Sequence, residues 1–132
     1  MNKIRAKIER IRTNGQLSIV TFHSQEHTLT MMSLELGKEI AQSKELILTT
    51  KASNIAIAKE YEGMLSYSNQ LMVTIEAIEL GELLCVLQLS FENTLLESII
   101  TADSAKRMQL QVGESVTALI KSSDISILET LA

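Results

Sequence analysis

Two short polar signatures recur in this chain of 132 residues, and both supply hydrogen-bond donors. One is Thr-x-x-Ser, at Thr30/Ser33 and Thr101/Ser104; the other is Lys-small-Ser, at Lys51-Ala52-Ser53 and Lys121-Ser122-Ser123. A serine in the first turn of a helix lies among backbone N–H groups without internal partners, at the positive end of the dipole. Ser104 is therefore an expected anion seat. Lys121 adds a full positive charge, and the serine hydroxyls and turn amides add neutral donors. A pocket made only of donors suits a fully deprotonated tetrahedral dianion. Protonated phosphate would bring an O–H with no acceptor, a buried loss of about 1–3 kcal/mol. Molybdate, tungstate or sulfate would then be preferred over phosphate. The competing reading is structural: Thr and Ser near strand ends and helix starts are ordinary caps and turns, and a strand-end lysine is solvated.

Other chemistry is sparse. His23 and His27 flank Ser24-Gln25-Glu26, a spacing that suits a metal only on a helix, and this segment reads as a hairpin turn. They are expected to be exposed turn histidines. The sequence shows no Gly-rich phosphate loop, paired-cysteine zinc spacing or nucleophile elbow. Neither catalytic residues nor a free metal cation is expected, and the protein is not expected to be an enzyme. A formal net charge of −4 argues against broad nucleic-acid binding, which needs phosphate-neutralising Lys and Arg. No apolar stretch approaches a membrane-spanning length, so no membrane insertion is expected. The single Cys85 and the start Met1-Asn2-Lys3-Ile4-Arg5 fit a cytoplasmic address.

The elements that must position these signatures come in two copies. Asn2–Ile11 lies over Asn69–Ile78, and Leu17-Ser18-Ile19-Val20 over Leu83-Leu84-Cys85-Val86. Leu29–Ser33 then lies over Ile100–Ser104, and Leu46–Ile57 over Val116–Ile127. The order is kept, the signature of an internal repeat. The expected units are 1–60 and 61–132, with a seam from Lys59 to Ser68. Within each copy apolar residues alternate, as in Ile4, Ala6 and Ile8, which predicts strands with one buried face. Strands recur at intervals of about ten residues, the spacing of a small antiparallel barrel or sandwich. Ser104–Leu110, with a Thr101/Asp103 start and Gly113 beyond, predicts one short helical turn; its counterpart, Ser33 to Ile40, should be looser. With 3% aromatic residues and no Trp, the core must be aliphatic. Units of this size are marginal alone and should pack on each other or on a partner.

The segment Ile100-Thr101-Ala102-Asp103-Ser104 through Val116-Thr117-Ala118-Leu119-Ile120-Lys121-Ser122-Ser123-Asp124-Ile125 resembles the Mop/TOBE family of molybdate-binding domains. The first copy resembles it less closely, and together the copies look like a tandem "di-Mop" arrangement. The resemblance implies a mainly β chain of two tandem OB-like five-stranded barrels, each with one short helix. It implies oxyanion ligands from Thr30, Ser33, Lys51, Ala52, Ser53, Thr101, Ser104, Lys121, Ser122 and Ser123. The ligand would be molybdate or tungstate, held without reaction for storage, buffering or sensing, in a homo-oligomer (dimer or trimer). The alternative it leaves open is a degenerate interaction or regulatory module of a molybdate ABC transporter. The family often opens each copy with an arginine that helps hold the oxyanion. Here Ser68 takes that place in the second copy, and only Met1 precedes Asn2 in the first.

Overall fold

The computed structural model describes residues 1–42 and 45–131. The chain is mainly β. Its elements run β1 (Asn2–Asn14), β2 (Leu17–Ser24), β3 (His27–Leu34), α1 (Lys38–Gln42), β4 (Glu45–Thr50) and a 3-10 turn (Ala52–Asn54) leading to β5 (Ala56–Ala58). The second copy repeats this order: β6 (Asn69–Leu80), β7 (Leu84–Phe91), β8 (Thr94–Thr101), α2 (Ala102–Arg107), β9 (Ser115–Ile120), a 3-10 turn (Ser122–Asp124) and β10 (Ser126–Leu131). The seam at 59–68 contains neither helix nor strand. Among the described residues no helix is long and apolar enough to cross a membrane.

Two five-stranded OB-like sheets result, in the orders β10-β4-β1-β2-β3 and β5-β9-β6-β7-β8. Each sheet takes one strand from the other copy. β5 pairs with β9 (Ala56 opposite Leu119), and β10 pairs with β4 (Ser126 opposite Thr49). Both sheets cross the expected boundary between residues 60 and 61.

The predicted alternation holds: Asn2, Ile4 and Ala6 are buried on β1, as are Asn69, Leu71, Val73 and Ile75 on β6. Each long strand has a bulge at the same place, between Ile8 and Arg10 and between Ile75 and Ala77. A bulge bends its strand and increases the local twist. One strand can then pair with different neighbours along its two halves, β1 with β4 near its start and with β2 beyond. That curls the sheet.

One core cluster runs through both copies. It is aliphatic apart from Cys85, Phe22 and Phe91, all fully buried, and it includes Ile55 and Ile125 immediately after the 3-10 turns. The exchanged strands thus bring core residues with them as well as ladder hydrogen bonds. Two asparagines stitch the copies from opposite sides. Asn69 accepts from Thr30 N–H (2.8 Å) and donates to Thr30 C=O (2.9 Å) and Ile120 C=O (3.1 Å). Asn2 accepts from Glu97 N–H (2.7 Å) and donates to Glu97 C=O (2.9 Å) and Thr50 C=O (3.2 Å). Each side-chain amide acts as a one-residue strand laid on the other copy's edge.

The repeat register differs from the sequence reading in two segments: Val20 on β2 is the counterpart of Leu87 rather than Val86, since Ile11 opposes Val20 as Ile78 opposes Leu87, and the third strand is displaced further. Leu17 opposes Leu34 in the first hairpin, and Leu84 opposes Thr101 in the second. Leu34, not Thr30, therefore occupies the place of Thr101, and Gly37 that of Ser104. The spacing was misread because the first copy has three fewer residues between its third and fourth strands, which no sequence signal marks. α2 begins at Ala102, directly after β8, two residues earlier than expected, while three residues separate the end of β3 from the start of α1.

Candidate functional site

Both Lys-small-Ser segments fold alike. Lys51 and Lys121 are extended (ψ 144 and 145) and stand just before the 3-10 turns. Asn54 N–H donates to Lys51 C=O, and Asp124 N–H to Lys121 C=O, each at 2.9 Å. The next residue, Ile55 or Ile125, plunges into the core and fixes the turn against it. Ser98, fully buried on β8, donates to Ile55 C=O (2.6 Å). Thr50, at the end of β4, donates to Asp124 C=O (2.7 Å). The turn of each copy is thereby bound to a strand of the other.

The consequence is a junction where the two turns share walls. A cavity of about 530 Å³ is bordered by Lys51 and Ala52 from the first copy and by Ser123 and Asp124 from the second. A smaller one of about 350 Å³ is bordered by Lys121 from the second copy and by Ser53 and Asn54 from the first, with Tyr67 beside them. Each lysine thus meets the serine of the opposite copy. Both lysines are exposed, so their ammonium groups are free to turn toward a ligand. Ser122 borders neither cavity.

The walls are not made of donors alone. Asp124 borders both cavities and Glu97 borders the larger. Glu97 accepts from Gln88 Nε2 (3.1 Å), which occupies one of its carboxylate oxygens. Where the second copy has Asp124, the first has the neutral Asn54.

The Thr-x-x-Ser residues lie elsewhere. Thr30 is in mid-strand, its backbone taken up by Asn69. Ser33 is half-buried on β3 and lines a separate groove against β10, which Ser123 also touches. Thr101 is the N-cap of α2: its Oγ1 accepts from Ser104 N–H (3.1 Å) and donates to Ser104 Oγ (2.9 Å). The helix-start N–H that made Ser104 an expected anion seat is therefore already satisfied within the chain. Neither residue lines the junction cavities.

The histidines flank the Gln25-Glu26 turn from strand positions, His23 exposed on β2 and His27 half-buried at the start of β3 rather than exposed as expected, and both are engaged. His23 Nε2 lies 3.1 Å from Glu9, and His27 Nδ1 2.8 Å from Glu92, whose side chain is 7% exposed. Ser24 Oγ donates to the other oxygen of Glu92 (2.8 Å), with Arg5 C=O 2.9 Å away. Glu92 belongs to the second copy, so this cluster is a further clasp between the two. No group of His, Cys, Asp and Glu among the described residues is arranged to hold a metal ion. Sequence reasoning missed Glu92, Asn2 and Asn69 as organisers of the junction. The only signal was an identical buried-polar residue, Asn, heading both copies.

The seam contributes Lys59, whose ammonium donates to Met108 C=O (3.0 Å) and Gln109 C=O (3.1 Å) and pairs with Glu114 (2.8 Å). It caps the C-terminal end of α2, where orphan carbonyls and the dipole favour a cation. The hydrogen bond from Lys59 holds the Glu114 carboxyl below its ordinary range.

Residues 65–127 match the TOBE domain family. No curated protein matches the sequence. Among solved structures, the fold is shared with the cytoplasmic molybdate-binding protein ModG in a crystal form with molybdate bound. The TM-score is 0.87 at 20% identity, over 96% of this chain and 94% of that one. A likeness at that identity is one of fold.

Proposed function

We propose that this chain, with a TOBE domain in its second half and a second, divergent copy in its first, binds molybdate or tungstate without transforming it. The two copies are tandem Mop-type units, 1–60 and 61–132. The oxyanion sits at the junction, held by Lys51, Ala52 and Ser123 on one side and by Lys121 and Ser53 on the other. Its role is storage, buffering or sensing of the oxyanion in the cytoplasm, as a homo-oligomer.

The observation that carries this reading is the cross-pairing at the junction: each lysine faces the serine-bearing turn of the other copy. Each of the two junction cavities is bordered by a lysine and a serine from opposite copies, and each is large enough for a tetrahedral ion. ModG, which shares the fold, binds molybdate. Charge-assisted donors of this kind are about twice as strong as neutral ones.

A second reading rests on Asp124 and Glu97. Two carboxylates facing two lysines leave the junction without net positive charge, and Ser68 stands where the family often has arginine. A degenerate module that regulates a molybdate transporter through protein contacts fits that balance.

Titration calorimetry with molybdate, tungstate, sulfate and phosphate separates the two. The oxyanion reading expects saturable binding of molybdate or tungstate, with phosphate weaker, and at least tenfold loss in Lys121→Ala and Lys51→Ala. Absence of heat with all four anions would transfer the assignment to the interaction module.

A further inference from the structure

Beyond the junction, the first copy has a groove of about 780 Å³ between the two edges of its sheet. One wall is β3 and the turn into α1, with Met31, Met32, Leu34 and Leu36; the other is β10, with Ile127 and Leu128. Its apolar lining is open to solvent: Leu34 is 72% exposed and Met32 44%. Among the described residues β3 pairs only with β2, and β10 only with β4, so the groove is flanked by two sheet edges. Asn69 occupies the β3 edge at Thr30 and leaves the stretch beyond it unpaired by any described strand.

Among the described residues that line this groove, the charged ones are all acidic: Glu35, Glu39 and Glu129. The internal repeat shows what a groove of this type accepts. β5 and β10 are equivalent strands, since Ala56 opposes Leu119 as Ser126 opposes Thr49. Beyond Ile57 and Ile127 the strands fall out of step, because a bulge between Ile127 and Glu129 sets Glu129 opposite Ile47, the place that Ala58 takes opposite Thr117. In the second copy the chain itself delivers Lys59 to Glu114 and to two carbonyls of the α2 end. β10 has no lysine, and the charged residue it brings to the groove of the first copy is Glu129.

We infer that the groove between β3 and β10 docks an extended, aliphatic and basic segment of a partner protein. Its backbone adds to a free sheet edge, its apolar side chains fill the space over Met32, Leu34 and Leu128, and its Lys or Arg residues meet Glu35 and Glu129. Strand addition of this kind takes affinity from main-chain hydrogen bonds and specificity from alternate side chains. An exposed edge with an apolar flank is also the feature that soluble proteins otherwise blunt with lysine or a bulge. The inference is independent of oxyanion binding, and its test contains no oxyanion.

The probe is an acetylated, amidated hexapeptide of alternating leucine and lysine, titrated into the isotopically labelled full chain and followed by amide chemical shifts. The expected result is perturbation centred on Met32, Leu34 and Leu128, with affinity falling about tenfold in Glu129→Lys. Glu82→Lys, which removes an exposed acid of the second copy, leaves the affinity unchanged. Equal binding of a leucine–glutamate hexapeptide, equal loss in Glu82→Lys, or shifts centred elsewhere overturns the inference. So does a concentration-dependent self-association that Leu34→Ser abolishes, because the groove would then belong to a second copy of the chain.

Discussion

Replacing Asn69 by alanine tests the idea that one buried amide holds the two copies together. Asn69 is fully buried and makes three hydrogen bonds, two to the backbone of Thr30 and one to Ile120 C=O. Alanine abandons all three partners in a place closed to water. At about 1 kcal/mol for each bond lost, the expected cost is about 3 kcal/mol. Total stabilities of about 5–15 kcal/mol make that a large fraction. For a chain of this length it corresponds to a fall in Tm of about 10 °C. Urea unfolding followed by circular dichroism measures it, with an unchanged m-value as the sign that only the folded state has altered. Asn69→Asp should be worse than alanine, because a carboxylate oxygen then faces the carbonyls of Thr30 and Ile120. Hydrogen exchange at the Thr30 amide should accelerate in both variants. A loss below about 1 kcal/mol in Asn69→Ala, or an aspartate variant as stable as wild type near neutral pH, would refute the reasoning.

Two further expectations follow from charge. Asp124→Asn makes the second turn resemble the first and removes a negative charge beside the proposed dianion. At an effective dielectric of about 40 and about 7 Å the gain is about 2 kcal/mol, or about thirtyfold in affinity. Calorimetry reads it, and weaker or unchanged molybdate binding would remove Asp124 from the site. Lys59→Met should destabilise the α2 end by uncapping Met108 and Gln109 and releasing Glu114. Because Lys59 lowers the Glu114 pKa, its contribution is complete above the ordinary carboxylate range and lost as pH falls through the depressed value. The stability gap between wild type and variant should therefore narrow from neutral toward acidic pH; a gap that widens on acidification contradicts the pairing.

Much of the fold is legible in the sequence because its period is local. The alternation of Ile4, Ala6 and Ile8 places strand faces, and the Thr101/Asp103 start places α2 to within two residues. The repeat is also legible, since Asn2–Ile11 and Asn69–Ile78 carry the same pattern and acquire the same bulge. What is not legible is non-local. Thr30 and Thr101 look equivalent as residue types, yet only the hairpin registers show that Leu34 is the counterpart of Thr101. Nothing along the chain says that β5 joins β9 rather than β4, since a three-residue turn permits either. The Lys-small-Ser turns are recognisable one at a time; their meeting at one junction is a product of the strand exchange. Asp124 was visible as a residue and invisible as a wall of both cavities.

The strand exchange itself leads to a last expectation. The 3-10 turn after β9 sends Ile125 and β10 into the other copy, and the turn after β4 sends Ile55 and β5 the opposite way. A fragment of residues 61–132 alone keeps β6 to β10 but lacks the strand that lies beside β9. Its own β10 would have to supply that strand. Folding β10 back on the same chain requires reversing the Lys121–Ile125 segment, which is extended at both ends (ψ 145 and 135). Keeping the turn and trading β10 with a second fragment retains both the backbone geometry and the burial of Ile125. Because the copies are built alike, two fragments can reproduce the exchange, as in domain swapping. The fragment should therefore be a dimer by light scattering. Burial of an aliphatic side chain such as Ile125, worth about 1.5–3 kcal/mol, favours association, so Ile125→Ala should shift the dimer toward unfolded chains. A folded monomer of 61–132 would show that the turn does not dictate the exchange, and that the tandem chain adopts it only because the two copies are tethered.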